Sequence, residues 1–207
     1  MALQNRVTPF GELIATPARG TMFGNRGGRF HRDDRTLTQR RWASRQWICC
    51  VLQFKDRHHP VWRDRYTALF FLDEVTALSA GHRPCFECRR RGAKAFAEKW
   101  AQAKGGAIPH APEMDVVLQK ERLNGRDKRT HEMLADESPD GAFIAIDGHA
   151  YVVRGAHLLR WNENGYVGKI ARPSGTATVL TPPSIVAVLK SGYLPQWHPS
   201  AELAVHS

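Results

Sequence analysis

The residues with most scope for chemistry in this 207-residue chain are its four cysteines, arranged as Cys49-Cys50 and Cys85-x-x-Cys88. Two thiolates three residues apart on a tight turn can share one tetrahedral Zn²⁺ while backbone N–H groups stabilise their charge. Cys85 and Cys88 are therefore half of a zinc site. The same spacing also suits a redox pair or two small apolar groups on a buried stripe. Cys49 and Cys50 are the candidates for the other half, and for a catalytic thiol. In a strand, adjacent residues point to opposite faces. Only one of them then faces the Cys85/Cys88 pair unless the strand bulges. Cys50 shares its side with Ile48, Leu52 and Phe54, and Cys49 shares its side with Trp47, Val51 and Gln53. A fourth ligand would then be a histidine, with His31, His58, His59 and His82 as candidates. Four cysteines are too few for a disulfide scaffold.

Arginine supplies the second chemistry. The chain carries 30 Lys+Arg against 20 Asp+Glu, a formal net charge of +10 and a pI of about 9.9. The whole excess lies in residues 1–100, which hold 19 basic and 9 acidic residues; the remainder is balanced. One cluster is Arg26, Arg29, Arg32, Arg35, Arg40, Arg41 and Arg45, relieved only by Asp33 and Asp34. A second is Arg89-Arg90-Arg91 with Lys94. A charge run often marks no more than a solvated face. Two Arg-dominated clusters in one half point further, to phosphate, because the guanidinium fork engages phosphate through two hydrogen bonds. The expected nucleic-acid contacts are Arg26, Arg29, His31, Arg40, Arg41, Arg45, Arg89, Arg90 and Arg91.

Certain elements must position these groups. Segment 46–54 is rich in β-branched and aromatic residues and predicts a strand through both upstream cysteines; 66–72 predicts a second. The four glycines of 20–31 predict a loop. Segment 73–80 predicts a short helix stopped by Gly81 in the left-handed region. A long helix is expected to follow from Pro84, with Cys85, Cys88, Gly92, Phe96, Lys99/Trp100 and Ala103 on one stripe. Its arginines fall mostly off that stripe.

Residues 70–89, Phe-Phe-Leu-Asp-Glu-Val-Thr-Ala-Leu-Ser-Ala-Gly-His-Arg-Pro-Cys-Phe-Glu-Cys-Arg, resemble the metal-binding module of Ada-type DNA-alkylation repair proteins. The shared order is a strand ending in Phe, a short helix, Gly81, Arg83-Pro84, Cys85, Cys88 and a basic residue. The resemblance implies a small α+β module with four cysteine ligands on zinc, DNA binding, and methyl transfer to one upstream cysteine. This chain departs from the family pattern at that upstream pair, which is adjacent here rather than spaced on a loop.

Residues 104–113, with two adjacent glycines and two prolines, predict a boundary. It separates a basic zinc-binding module (1–105) from a β-rich C-terminal region (112–207). A helix is expected over 113–123, with Met114, Val117 and Leu118 on one side. A charged loop or a continuing helix is expected over 126–137. Short strands are expected at 142–146, 150–154, 158–161, 166–171 and 176–180, separated by turn signals that include Asp147-Gly148. A last helix is capped by Thr181 and ended by Gly192. The fold class is thus α+β: a small zinc-binding strand/helix module followed by an antiparallel β-meander or small barrel with flanking helices.

A hydrophobic content of 42% excludes intrinsic disorder. No apolar run approaches the roughly 18 residues of a membrane span. The first residues carry no apolar signal core, so a soluble cytoplasmic protein is expected. The expected function is a zinc-stabilised nucleic-acid-binding protein linked to DNA repair or modification, with DNA favoured over RNA. Two alternatives stand beside it. One is an enzyme acting on nucleic acid, either a cysteine methyl acceptor or a nuclease. The other is a metal-free protein-interaction module.

Overall fold

The computed structural model describes residues 2–55, 61–62 and 65–206; His58 and His59 lie outside them. Two strands that the sequence pattern did not announce come first: β1 (Gln4–Val7) and β2 (Leu13–Ala15), paired antiparallel. Next is β3 (Met22–Arg26), which occupies part of the segment expected to be loop. Its glycine has a packing cause rather than a turning one. A Cβ on Gly24 would lie 2.1 Å from the Ile48 carbonyl oxygen, so only glycine lets the neighbouring backbone approach. β4 (Trp47–Val51) carries both upstream cysteines, and β5 (Leu69–Phe71) pairs with β3.

Helix α1 (Glu74–Ser79) starts at Asp73, whose carboxylate accepts from Thr76 N. It ends as expected at Gly81, with φ +85°. The His82 N–H donates to Ala77 O at 2.9 Å and the Gly81 N–H to Leu78 O at 2.9 Å. Those two bonds form a Schellman stop, which satisfies the last carbonyls and turns the chain sharply. The turn delivers β6 (Arg83–Pro84) parallel to β4. Pro84 therefore belongs to an edge strand and not to a helix. The first sheet has the order β2-β1-β5-β3-β4-β6. After the cysteine turn comes α2 (Arg90–Lys104), which begins six residues after Pro84, where its pattern placed the start. It buries Ala93, Phe96, Ala97 and Trp100.

The 104–113 break is the connection to α3 (Ala111–Arg122), on which Met114, Asp115, Leu118 and Arg122 are buried. Val117, expected inside, is 36% exposed. A short hairpin follows, β7 (Leu123–Asn124) with β8 (Asp127–Lys128). Then β9 (His131–Leu134) and a 3₁₀ turn (Ala135–Glu137) replace the expected loop or helix. The meander itself is as expected: β10 (Phe143–Ile146), β11 (His149–Arg154), β12 (His157–Asn162), β13 (Gly165–Ala171) and β14 (Thr176–Val179). Asp147 and Gly148, with φ +49° and +75°, form the tight turn between β10 and β11. This is the hairpin geometry that Asp-Gly favours. The second sheet is antiparallel throughout, in the order β13-β12-β11-β10-β14-β9.

Helix α4 (Pro183–Lys190) is capped differently from expectation. Thr181 Oγ1 accepts from Phe143 N at 2.9 Å, while the Glu121 carboxylate takes the Ser184 N–H and hydroxyl at 2.9 and 2.6 Å. The tail ends in α5 (Ser200–His206), which packs on β12 and β13. One face of the second sheet (Phe143, Val152, Leu159, Tyr166) packs with Leu72, Val75, Ala201 and Ala204. The other face receives Val186 of α4. Leu78, Phe96, Trp100, Met114, Leu118, Ile185, Val188 and Tyr193 form a single helical core. Helices from both halves of the chain therefore share one apolar layer. No helix among the described residues is long and apolar enough to cross a membrane.

Candidate metal centre

Cys50, and not Cys49, faces the Cys85/Cys88 pair. Pairing of β3 with β4 runs without a bulge from Met22↔Val51 to Arg26↔Trp47, so Cys49 and Cys50 point to opposite faces. The parallel register Cys49↔Pro84, together with a 2.9 Å bond from Cys85 N to Cys49 O, draws the next residue alongside the end of β4. There the chain coils, with Arg89 N donating to Cys85 O at 3.0 Å, and Cys88 returns beside Cys85. The sulfurs of Cys50, Cys85 and Cys88 all lie within 4.8 Å of one another.

This donor set fits a tetrahedral thiophilic ion. Zn–S bonds of about 2.3 Å imply sulfurs about 3.8 Å apart, so the cluster needs only a small closure. The Glu87 N–H points at Cys85 Sγ at 3.4 Å. The Cys85 thiol is held far below its ordinary value by hydrogen bonds from Cys50 and Cys88, then by the backbone N–H groups of Cys88 and Glu87. Cys50 is pushed the opposite way by its hydrogen bonds with Cys85 and Cys88 and then by burial. The shared hydrogen bonds thus pull the Cys85 and Cys50 thiols in opposite directions, and a bound cation would favour ionisation of all three. The metal's identity is not fixed by the three sulfurs alone.

Cys49 stands outside the cluster, because alternation along the strand sends it to the opposite face. It is fully buried, and its Sγ accepts from Arg89 Nη1 at 3.7 Å. Burial pushes its thiol up, an effect that Arg89 only partly offsets. An inaccessible thiol raised in this way does not suit a nucleophile.

Neither described histidine candidate joins the sulfurs. His31 is buried, stacked on Trp62 at 5.2 Å, with Nδ1 2.9 Å from Thr67 Oγ1. His82 is fully buried between Trp47 and Phe71, and its Nε2 accepts from Arg26 Nε at 3.3 Å. Burial, and then the charges of Arg26 and Arg122, hold its imidazole well below the usual value. The unfolded chain therefore binds this proton at pH values where the fold does not, and stability falls as pH drops below about 6.5. Histidine ¹⁵N spectra should show the His82 imidazole still neutral at about pH 6, where exposed histidines are mostly charged. A titration midpoint near 6.5 at His82 would contradict this.

The basic residues divide in two. Arg29 (paired with Asp33), Arg40, Arg45, Arg90 and Arg91 are exposed, and Arg41 is half-buried. Arg26, His31 and Arg89 are buried and do not face a solvent-borne phosphate backbone. Arg89 instead forms an ion pair with the fully buried Glu74. Glu74 also accepts from Tyr193 Oη at 2.6 Å and Gln196 N at 2.8 Å. Arg83, in the Arg-Pro step before the cysteines, binds Asp115 of α3 bidentately at 2.9 and 2.8 Å.

Cys88, the most exposed of the four cysteines, opens on a groove of about 640 Å³. Arg90, Arg91, Lys99 and Leu194 border it. Lys99, expected on the buried stripe, lies eight residues, about two turns, beyond Arg91 and shares its face of the helix. Compared with known protein families, with characterised proteins and with solved structures, the chain matches none.

Proposed function

We propose that this chain is a zinc-stabilised nucleic-acid-binding protein, with DNA as its partner in preference to RNA. The observation that carries the reading is that the three-cysteine cluster opens, through Cys88, directly on a groove edged by Arg90, Arg91 and Lys99. Cys50, Cys85 and Cys88 would hold the ion, which would fasten the 85–88 turn to β4. That turn leads straight into Arg90 and Arg91, so their placement depends on the clamp. Exposed arginines of the 27–46 connection (Arg32, Arg35, Arg40, Arg45) extend the positive surface. The preference for DNA rests on the resemblance of residues 70–89 to the Ada-type module.

The test is fluorescence anisotropy of a labelled duplex over a range of salt concentrations. Affinity should fall steeply with salt, since each neutralised phosphate contributes a log–log slope of about −0.9. Replacing Arg90 and Arg91 together by Ala should flatten that slope by about 2 and weaken binding at least ~10-fold, with metal content unchanged. Absence of binding at low salt, or indifference to the double replacement, defeats the proposal. Tighter binding of a single-stranded RNA of equal length would move the partner to RNA.

A further inference from the structure

A second concentration of positive charge lies at the far end of β4 from the cysteine cluster, around Trp47. The guanidinium carbons of Arg26 and Arg122 sit 4.0 and 3.9 Å from the centroid of its ring system. Both arginines are almost wholly buried, at 2% and 1% exposure. Lys128, on the β7–β8 hairpin, closes the group and donates to Ser79 O. The three form part of the wall of a cavity of about 550 Å³.

Buried cations are ordinarily matched by buried carboxylates. None of these three forms an ion pair among the described residues. Arg26 donates only to His82 Nε2 and to the carbonyls of Gly11 and Arg41. Arg122 donates to the carbonyls of Gly81 and Arg45 and to Gln119, and its Nε is buried without an acceptor. Asp115, the nearby buried carboxylate, is committed to Arg83. Five cations line the cavity, with Arg41 and Arg126 added, against two exposed carboxylates, Glu12 and Asp127. Burial and then mutual repulsion lower Arg26 to about 9. Burial lowers Arg122 to about 9 as well, with Asp115 opposing. Burial and the two arginines lower Lys128 to about 7. The charge is thus held against its own cost, relieved only in part at Arg122 by Asp115, which is itself paired with Arg83.

We propose that this cavity is a binding site for a phosphate monoester, its anionic head lying among Arg26, Arg122 and Lys128. A dianion matches the surplus of positive charge better than a carboxylate does, and arginine's fork is suited to phosphate oxygens. Phe10 and Trp42, on the same wall, provide an apolar surface for the organic part of the ester. The site is separate from the cysteine cluster and does not rest on the nucleic-acid reading.

The experiment is isothermal titration of the full-length, metal-loaded protein with a nucleoside 5′-monophosphate, with inorganic phosphate and with benzoate. Saturable binding of the monophosphate is expected, with inorganic phosphate weaker and benzoate weaker still. Lys128→Met should lower the affinity for the monophosphate at least ~10-fold, about 1.4 kcal/mol, and leave metal content unchanged. Arg126→Gln, at an exposed position, should give a smaller loss in the same direction. Trp42→Ala should weaken the ester more than inorganic phosphate. No saturable heat up to about 10 mM, a range beyond ordinary specific affinity, overturns the proposal. So does benzoate binding as tight as the monophosphate, or an affinity unaltered by Lys128→Met. Loss through Arg90→Ala/Arg91→Ala instead would relocate the anion to the other groove, and would overturn it equally.

Discussion

Replacing Cys85 by Ser is expected to release the metal, whereas replacing Cys49 by Ser leaves the protein loaded. Protein purified without added metal should carry about one Zn per chain. The Cys85 sulfur lies within 4.8 Å of the other two, whose hydrogen bonds hold its thiol below the ordinary value. Its removal leaves two thiolates, below the number that structural zinc sites use. Structural zinc contributes about 10–16 kcal/mol in zinc-finger peptides, against a net stability of about 5–15 kcal/mol for a whole domain. A variant without it should lose at minimum the 85–88 turn, and with it the start of α2. Cys50→Ser should behave alike. Cys49→Ser puts a hydroxyl where a thiol now faces Arg89, and costs about 1–3 kcal/mol with the zinc retained. Mass-spectrometric metal analysis beside circular dichroism reads both quantities. Equimolar zinc in the Cys85 variant, or loss of zinc from the Cys49 variant alone, would show that the sulfurs are not assembled as described.

That asymmetry between two adjacent cysteines could be anticipated only halfway from the sequence. Alternation on a strand requires that one of them face Cys85 and Cys88. Which one does depends on the register against β3 and β6, and that is set by residues distant in the chain. Local signals served well where the determinant is local. Gly81 ends α1 because one residue must turn left-handed, and Asp147-Gly148 makes its hairpin for the same reason. They misled where tertiary contact decides. Gly24 is expected in a loop but lies in β3, where a Cβ would meet Ile48 O at 2.1 Å; Gly20 does lie outside the strands, yet its Cβ would meet Phe71 O at 1.8 Å, so both mark close backbone approach. Residues 131–134 suggest a charged loop or a continuing helix, but become a strand because β14 offers an edge to pair with.

The arginines were the harder case. Their number is obvious, but a guanidinium's role depends on where its partner lies. Arg89 finds Glu74 fifteen residues back, and Arg83 finds Asp115 on α3. Arg26 and Arg122 meet over Trp47 from opposite halves of the chain. The +10 surplus is therefore not one surface property. Part of it is interior wiring, part is the groove beside Cys88, and part is the unmatched cluster around Trp47.

Glu74→Ala is expected to be the most damaging single change away from the sulfurs, at about 3–5 kcal/mol. Glu74 is fully buried and is the one carboxylate facing Arg89, Tyr193 Oη and Gln196 N. Deleting it strands a buried guanidinium, which costs more than the pair itself contributes, because the charge stays in a dry interior with nothing to neutralise it. Tyr193 and Gln196 lose their acceptor at the same time, and both belong to the C-terminal tail that the two halves share. Arg89 follows Cys88 directly, so its release also loosens the cysteine turn. The effect should appear as a lower urea midpoint together with faster loss of zinc to a chelator. Glu137→Ala provides the contrast: its bridge to Lys190 is 4.0 Å long and exposed on both sides, so the cost should stay below about 1 kcal/mol. Equal midpoints for the two variants would mean that Glu74 is not the anchor the geometry makes it. A large loss of stability with zinc release unchanged would separate the anchor from the cysteine turn.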